Sequence, residues 1–227
     1  MSVRSGTIGP MPRNRDPLWS AVHAERAALA DDLSALTPEQ WKQPSLCGQW
    51  SVEEVLAHLT AAASIGPARW FASVIGARFD FDRHNARRLA DQLGVTPEET
   101  LARFRRVRTS TTAPLGPTAA WLGEVVVHAQ DIRRPLGITT VPPSSTLTEV
   151  ARFYARKDFA VPSRTTADGL RLEATDGPFT SGTGPLATGP TVALVMVMAG
   201  RAAYCDDLTG PGLATLREQL PHPSPRA

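Results

Sequence analysis

Cysteine is scarce in this chain of 227 residues: Cys47 and Cys205 are its two, far apart and outside any CxxC pair. A disulfide framework is therefore not expected, which suits the reducing cytoplasm. Long apolar runs are lacking as well. No stretch of about 18 apolar residues offers a transmembrane helix. The opening "MSVRSGTIGPMPRNR" has three arginines but not the run of about 7 to 15 apolar residues that a secretory signal needs. Neither sign of charge dominates, the formal net charge being +2. No Lys/Arg run is interleaved with aromatics as tracking a phosphate backbone requires. The short groups Arg87-Arg88, Arg103 with Arg105, Arg106 and Arg108, and Arg133-Arg134 read as solvated helix faces or last turns. Neither nucleic acid nor membrane is expected as a partner.

What is present is ordinary globular material: 42% apolar and 20% charged residues, enough to bury a real core. Asp16-Pro17 offers a cap and a proline at the first helical position. A helix to about Leu36 follows, with Leu18, Val22, Leu29, Leu33 and Leu36 on one stripe. Thr37-Pro38 is expected to break it, with a loop running to Ser51. Ser51 with Glu54 is a capping-box pattern that starts a second helix to about Ile65, its buried stripe formed by Val52, Val55, Leu56, Leu59 and Ala63. Residues 68–75 look helical and 76–88 polar and irregular. Thr96 with Glu99 repeats the pattern and predicts a helix over 97–109. The apolar stretch from Trp121, "WLGEVVVHAQDIRRPLG", reads as a fourth long helix stopped by Pro135 and Gly137.

From Ile138 to Ser145 the composition shifts to "ITTVPPSS", a boundary between two parts. Beyond it, "LTEVARFYARKDF" reads as helix and "GLRLEAT" as a half-buried strand. "DGPFTSGTGPLATGP" offers a short hairpin, and "TVALVMVMAGR" and "GPGLATLREQL" two more helices. The chain thus divides into a leader over 1–15, a helical domain over 16–140, a small α/β domain over 141–220 and a tail over 221–227. The class is α+β.

The stretch from Trp121 carries the chemistry. On a helix, Glu124 and His128 share a face about 5 to 6 Å apart at Cβ, where both can reach one ion. On a strand they would lie about 13 Å apart. Val125-Val126-Val127 favours strand. Trp121, Leu122, Val125, Ala129, Ile132 and Leu136 nevertheless fit a helical stripe, and seventeen residues are long for a strand, so helix is predicted. Asp131 then projects along the same edge. A third ligand is available in His58, also at the margin of an apolar stripe; packing the two margins together converges three groups with positions left open. Two nitrogens and one carboxylate suit zinc or another divalent first-row ion. On spacing alone the plainer readings stay open: a hydrogen-bonded core histidine, or a Glu124–His128 surface pair worth a few tenths of a kcal/mol. His23, His84 and His222 have no such company.

"LCGQWSVEEVLAHL" from Leu46 and "EVVVHAQDIRRPLG" from Glu124 resemble the two signature segments of the mycothiol-dependent maleylpyruvate isomerase family. "GLRLEATDG", "GTGPLATGPTVALVMVMAGR" and "DDLTGPGLATLREQL" resemble that family's small C-terminal domain, itself similar to a reduced sterol carrier protein fold. The likeness spans about Leu18 to Leu220. It implies a DinB-like four-helix bundle, a divalent metal such as zinc on His58, Glu124 and His128, and mycothiol as a thiol cosubstrate. It implies a catalytic role for Arg201 in "MAGRAAY", organising an acidic substrate, although an arginine there also suits capping its own helix. Asp131 becomes a partner of His128 or a substrate-facing group, and Arg78 or Arg83 a second anion contact. The implied activity is a metal- and mycothiol-dependent isomerase or S-transferase acting on a small electrophilic or acidic molecule. Two other classes are expected to compete: a metal-stabilised small-molecule binding protein without turnover, and a metal-assisted hydrolase with water in the open position.

Overall fold

The structure, a computed structural model, describes residues 17–48, 50–64, 66, 88–113 and 116–220. The expectations for the leader, for Asp16, for 68–87 with Arg78, Arg83 and His84, and for the tail with His222 lie outside these residues. The first part begins with α1 (Pro17–Asp32) and a short α2 (Pro38–Trp41), followed by α3 (Val52–Ser64), α4 (Pro97–Arg106) and α5 (Thr118–Arg133). The four long helices pack as a bundle, α1 against α5 and α4, and α3 against α4 and α5.

Local chemistry starts these helices. The Ser51 N–H donates to Glu54 Oε2 at 2.8 Å and the Glu54 N–H to Ser51 Oγ at 3.3 Å, the reciprocal box that fixes the first turn of α3. At α4 the box is displaced by one residue: Thr96 Oγ1 accepts from the Glu99 N–H, while Glu99 Oε2 accepts from Val95 rather than Thr96. Two expectations are corrected. α1 ends at Asp32 and hands over to a tight 3-10 turn, Leu33–Ala35. Thr37, expected only as a breaker, caps α2 through a box with Gln40.

α5 is the hub. The three valines are helical and at most 4% exposed, with Leu122, Ala129 and Ile132 also buried. Burial on several sides at once outweighs the weak preference of β-branched residues for strand. A helix surrounded this way gains by pairing its buried polar side chains, and Glu124, His128, Gln130, Asp131 and Arg133 each have partners.

The second part comprises α6 (Ser144–Arg156), α7 (Ser163–Thr166), β1 (Arg171–Ala174), β2 (Thr180–Ser181), β3 (Leu186–Gly189), α8 (Thr191–Met198) and α9 (Leu213–Gln219). The sheet order is β2-β1-β3, with β2 antiparallel and β3 parallel to β1. The hairpin therefore joins β1 to β2, not β2 to β3 as the turn-rich segment suggested. Apolar all round, α8 is buried between α6 and the sheet, and α6 packs on α5. One continuous core runs from Val22 to Leu220. Among the described residues no helix is long and apolar enough to cross a membrane.

Candidate metal centre

His58 sits on the second turn of α3 and meets α5 across the bundle. Its Nε2 lies 2.8 Å from Glu124 Oε1, and His128 Nε2 lies 3.6 Å from the same oxygen. One ligand atom from each of the three residues falls within 4.8 Å of the others. The side chains of His58 and Glu124 keep 16% and 21% of their surface exposed, so the cluster stays reachable from outside while His128 is buried.

The orientation of His128 is set from behind. Asp131 Oδ2 accepts from His128 Nδ1 at 3.0 Å. An ionised carboxylate only accepts, so Nδ1 carries a hydrogen, and Nε2, the nitrogen that faces Glu124 and His58, is the one from which a ligand lone pair is freed on deprotonation. Asp131 is in turn held by a fork: Arg201 Nε and Nη2 donate to its two oxygens at 2.9 and 2.6 Å. Arg201 arrives there because α8 ends in a Schellman turn. Gly200 takes φ +88°, its N–H donates to the Val197 carbonyl and that of Arg201 to Met196. Only glycine adopts that backbone cheaply. The third arm of the guanidinium, Nη1, donates to the Ala199 carbonyl at 2.6 Å. Arg201 thus meets Asp131 and its own helix end together, and Asp131 is the partner of His128.

Charges follow this geometry. Burial acts to raise the Glu124 carboxyl, but the His128 and His58 imidazoles outweigh it and hold it well below the ordinary range. Burial acts to depress His128, and Glu124, Asp131 and the Cys47 thiol together push it well above an ordinary histidine. Asp131, which burial would raise, is held low by His128 and Arg201. Arg201 is raised against its burial by Asp131.

Two neighbours were invisible in the spacing. Cys47 reaches His128, and with His128 and Asp131 forms a second close trio, in which Nδ1 of His128 is already engaged by Asp131. The Trp50 ring packs on His58 with centroids 4.8 Å apart. A backbone bond places both, the Leu46 N–H donating to the Asp131 carbonyl at 3.0 Å and fastening the 45–50 loop to α5. "LCGQW" adjoining the Ser51 cap was the available signal, but nothing local says that a loop returns to a helix some eighty residues on. On the far side, Tyr154 of α6 lies against Gly123, where a Cβ would sit 2.7 Å from its hydroxyl. Burial pushes that phenol well above its ordinary range.

Arg133, read from sequence as a solvated last-turn residue, is instead fully buried, with its Nε 2.8 Å from Asp32 and its Nη1 on Glu25 of α1. His23 Nε2 donates to the Ser110 carbonyl at 3.2 Å, and His23 stands apart from the centre.

No curated protein matches the chain in sequence. A crystal structure of the mycothiol-dependent maleylpyruvate isomerase matches the fold with a TM-score of 0.58 at 14% identity, over 86% of this chain and 92% of that one. The structure of a histidine-to-alanine mutant of that isomerase matches with a TM-score of 0.57 at the same identity and coverage. In sequence, the model of the mycothiol maleylpyruvate isomerase N-terminal domain matches residues 22–121, a span that holds His58 and stops short of Glu124 and His128. Over residues 22–121 the chain is therefore similar in sequence to the mycothiol maleylpyruvate isomerase N-terminal domain, and over most of its length it shares the fold of that isomerase.

Proposed function

We propose that the chain is a metal-dependent enzyme that uses a low-molecular-weight thiol, mycothiol, to isomerise a small electrophilic acid of the maleylpyruvate kind. The observation that carries this reading is the orientation of His128. Its Nδ1 is fixed by Asp131, and its free nitrogen meets Glu124 and His58 in a partly open pocket. Two imidazole nitrogens and one carboxylate, backed by a carboxylate–histidine contact, fit a divalent ion such as zinc. His58, Glu124 and His128 would hold it. When bound there, such an ion lowers the pKa of a thiol enough to keep it as thiolate at neutral pH.

The residues of the chain supply the rest. Asp131 keeps the proton of His128 on Nδ1, away from the ligand side. Arg201 neutralises Asp131, so that His128 is oriented without a surplus negative charge. Trp50 covers one face of His58 and limits water there. A thiolate adding to an activated double bond, followed by rotation about the resulting single bond and departure of the thiolate, gives isomerisation. The same addition without departure gives S-transfer, the second outcome of one centre. We further propose that the division into a bundle over 16–140 and a smaller unit over 141–220, and a cytoplasmic location, accompany this activity.

Incubating the purified chain with mycothiol and a panel of cis-unsaturated acids, then analysing by mass spectrometry, tests the reading. An isomer formed only when both thiol and metal are present supports it. Hydrolysis that proceeds without thiol, or binding without turnover, overturns it in favour of the hydrolase or the binding protein.

A further inference from the structure

Arg26 of α1 is only 3% exposed, yet no carboxylate pairs with it among the described residues. The contrast with its neighbours is sharp: buried Arg133 has Glu25 and Asp32, and Arg201 has Asp131. Arg26 has two backbone carbonyls, those of Val107 and Ser110, both on Nη1 at 3.3 and 2.9 Å. Its Nε is sealed from solvent without an acceptor, and so is Nε1 of Trp121. Burying such a donor unpaired is costly, the more so on a charged group. Desolvation with nothing to offset it pulls the guanidinium down to about 10.

Both residues line one partly open cleft, whose other walls are Leu59 and Ala62 of α3, Ala113, and Glu124 with Val125 of α5. A buried cation without a carboxylate partner and a buried indole N–H without an acceptor therefore border the carboxylate that closes the candidate metal centre. Arg201, the arginine that the family resemblance implied for an acidic substrate, has its fork on Asp131.

We infer that the Arg26–Trp121 cleft is the subsite for a carboxylate of the substrate, accepting from the guanidinium and the indole N–H and setting the reacting carbon of a small acid beside Glu124. The apolar side chains of Leu59, Ala62, Ala113 and Val125 suit the short carbon chain of such an acid. This rests on the reading of Glu124 as a metal ligand, since an ion there removes the repulsion a free carboxylate would offer.

Calorimetric titration of the full chain with maleate, with zinc present and after chelation, tests the subsite. Arg26→Gln removes the cation; Trp121→Phe keeps the ring and drops one donor, so it reads the site even where the first variant does not fold. The expected result is saturable binding by the wild type, weakened at least tenfold in folded Arg26→Gln. Trp121→Phe should weaken it by roughly tenfold, the worth of one hydrogen bond to a charged group, with an unchanged melting temperature. Absence of saturable binding in the wild type overturns the inference. So does wild-type affinity in Trp121→Phe or in folded Arg26→Gln. Zinc stoichiometry in the same samples separates the two readings. If His128→Ala keeps its zinc, the metal centre fails while the subsite is still judged by the Arg26 and Trp121 variants.

Discussion

Asp131 holds one nitrogen of His128 and is itself held by Arg201, so the aim of a single imidazole rests on residues 128, 131 and 201. The two contacts differ in kind. Arg201 gives a bidentate fork to a fully buried carboxylate, a strong and geometrically demanding pair. Asp131 gives an acceptor that selects the tautomer. Replacing it by asparagine keeps the shape but lets the amide present either an acceptor or a donor to Nδ1. Asp131→Asn is expected to weaken zinc binding 10–100-fold or about that range, the usual cost of losing such a support. Competition against a chromophoric chelator measures it, and thermal melting of the metal-free chain shows whether folding accounts for the change. Wild-type zinc affinity would mean that Asp131 does not orient His128. The charge relay along one helix edge was legible in the spacing of Glu124, His128 and Asp131, because four and three residues on a helix fix relative direction. The engagement of Arg201 with Asp131 was not legible: it depends on a turn at Gly200 that throws the next side chain across to another helix.

At the scale of elements, α5 carries the centre and is packed from several sides, so small residues govern how close its neighbours come. Gly123 is where α6 approaches, its hydrogen facing the Tyr154 ring and hydroxyl. A methyl group there has no free space, and Gly123→Ala is expected to destabilise the fold by about 1–3 kcal/mol through overpacking. Urea denaturation reads the loss, and Gly123→Ala combined with Tyr154→Phe, which removes the hydroxyl at 2.7 Å, should recover part of it. No recovery would place the clash elsewhere. The helices that bear the candidate ligands were readable because caps and apolar stripes are local: Ser51 with Glu54, and the stripe from Val52 to Ala63, announce α3 within a dozen residues. Strand partnership was not. β1 takes β3 as a parallel neighbour through a connection that encloses β2, and pairing between distant segments leaves no trace in the alternation of either strand. The displaced box at Glu99 shows the same limit in miniature, since the cap residues were evident and the recipient of the carboxylate was not.

Across the whole molecule, buried charge ties distant parts together. Arg133 joins α5 to Glu25 and Asp32 of α1, and Asp32 also accepts from Thr140 at the junction of the two parts. Arg134, beside it in sequence, instead pairs with Asp207 and lies 4.1 Å from the Tyr204 ring centroid. Adjacent arginines on one helix thus clamp opposite sides of the fold, which explains why a reading of both as solvated residues fails for the first. Arg133→Ala leaves two acidic groups facing each other without a cation, and is expected to cost about 3–5 kcal/mol, measured as a lowered denaturation midpoint. Arg133→Met with Glu25→Gln and Asp32→Asn should restore much of it. The candidate metal centre depends on the same architecture: α3 and α5 must stay in register for His58 to reach Glu124. Elemental analysis of the purified chain, with zinc titration of the chelated protein, tests this most directly. The account predicts one divalent ion per chain, lost from His58→Ala and His128→Ala alike. A chain that binds no stoichiometric ion, or a His128→Ala variant that holds it with unchanged affinity, would contradict it.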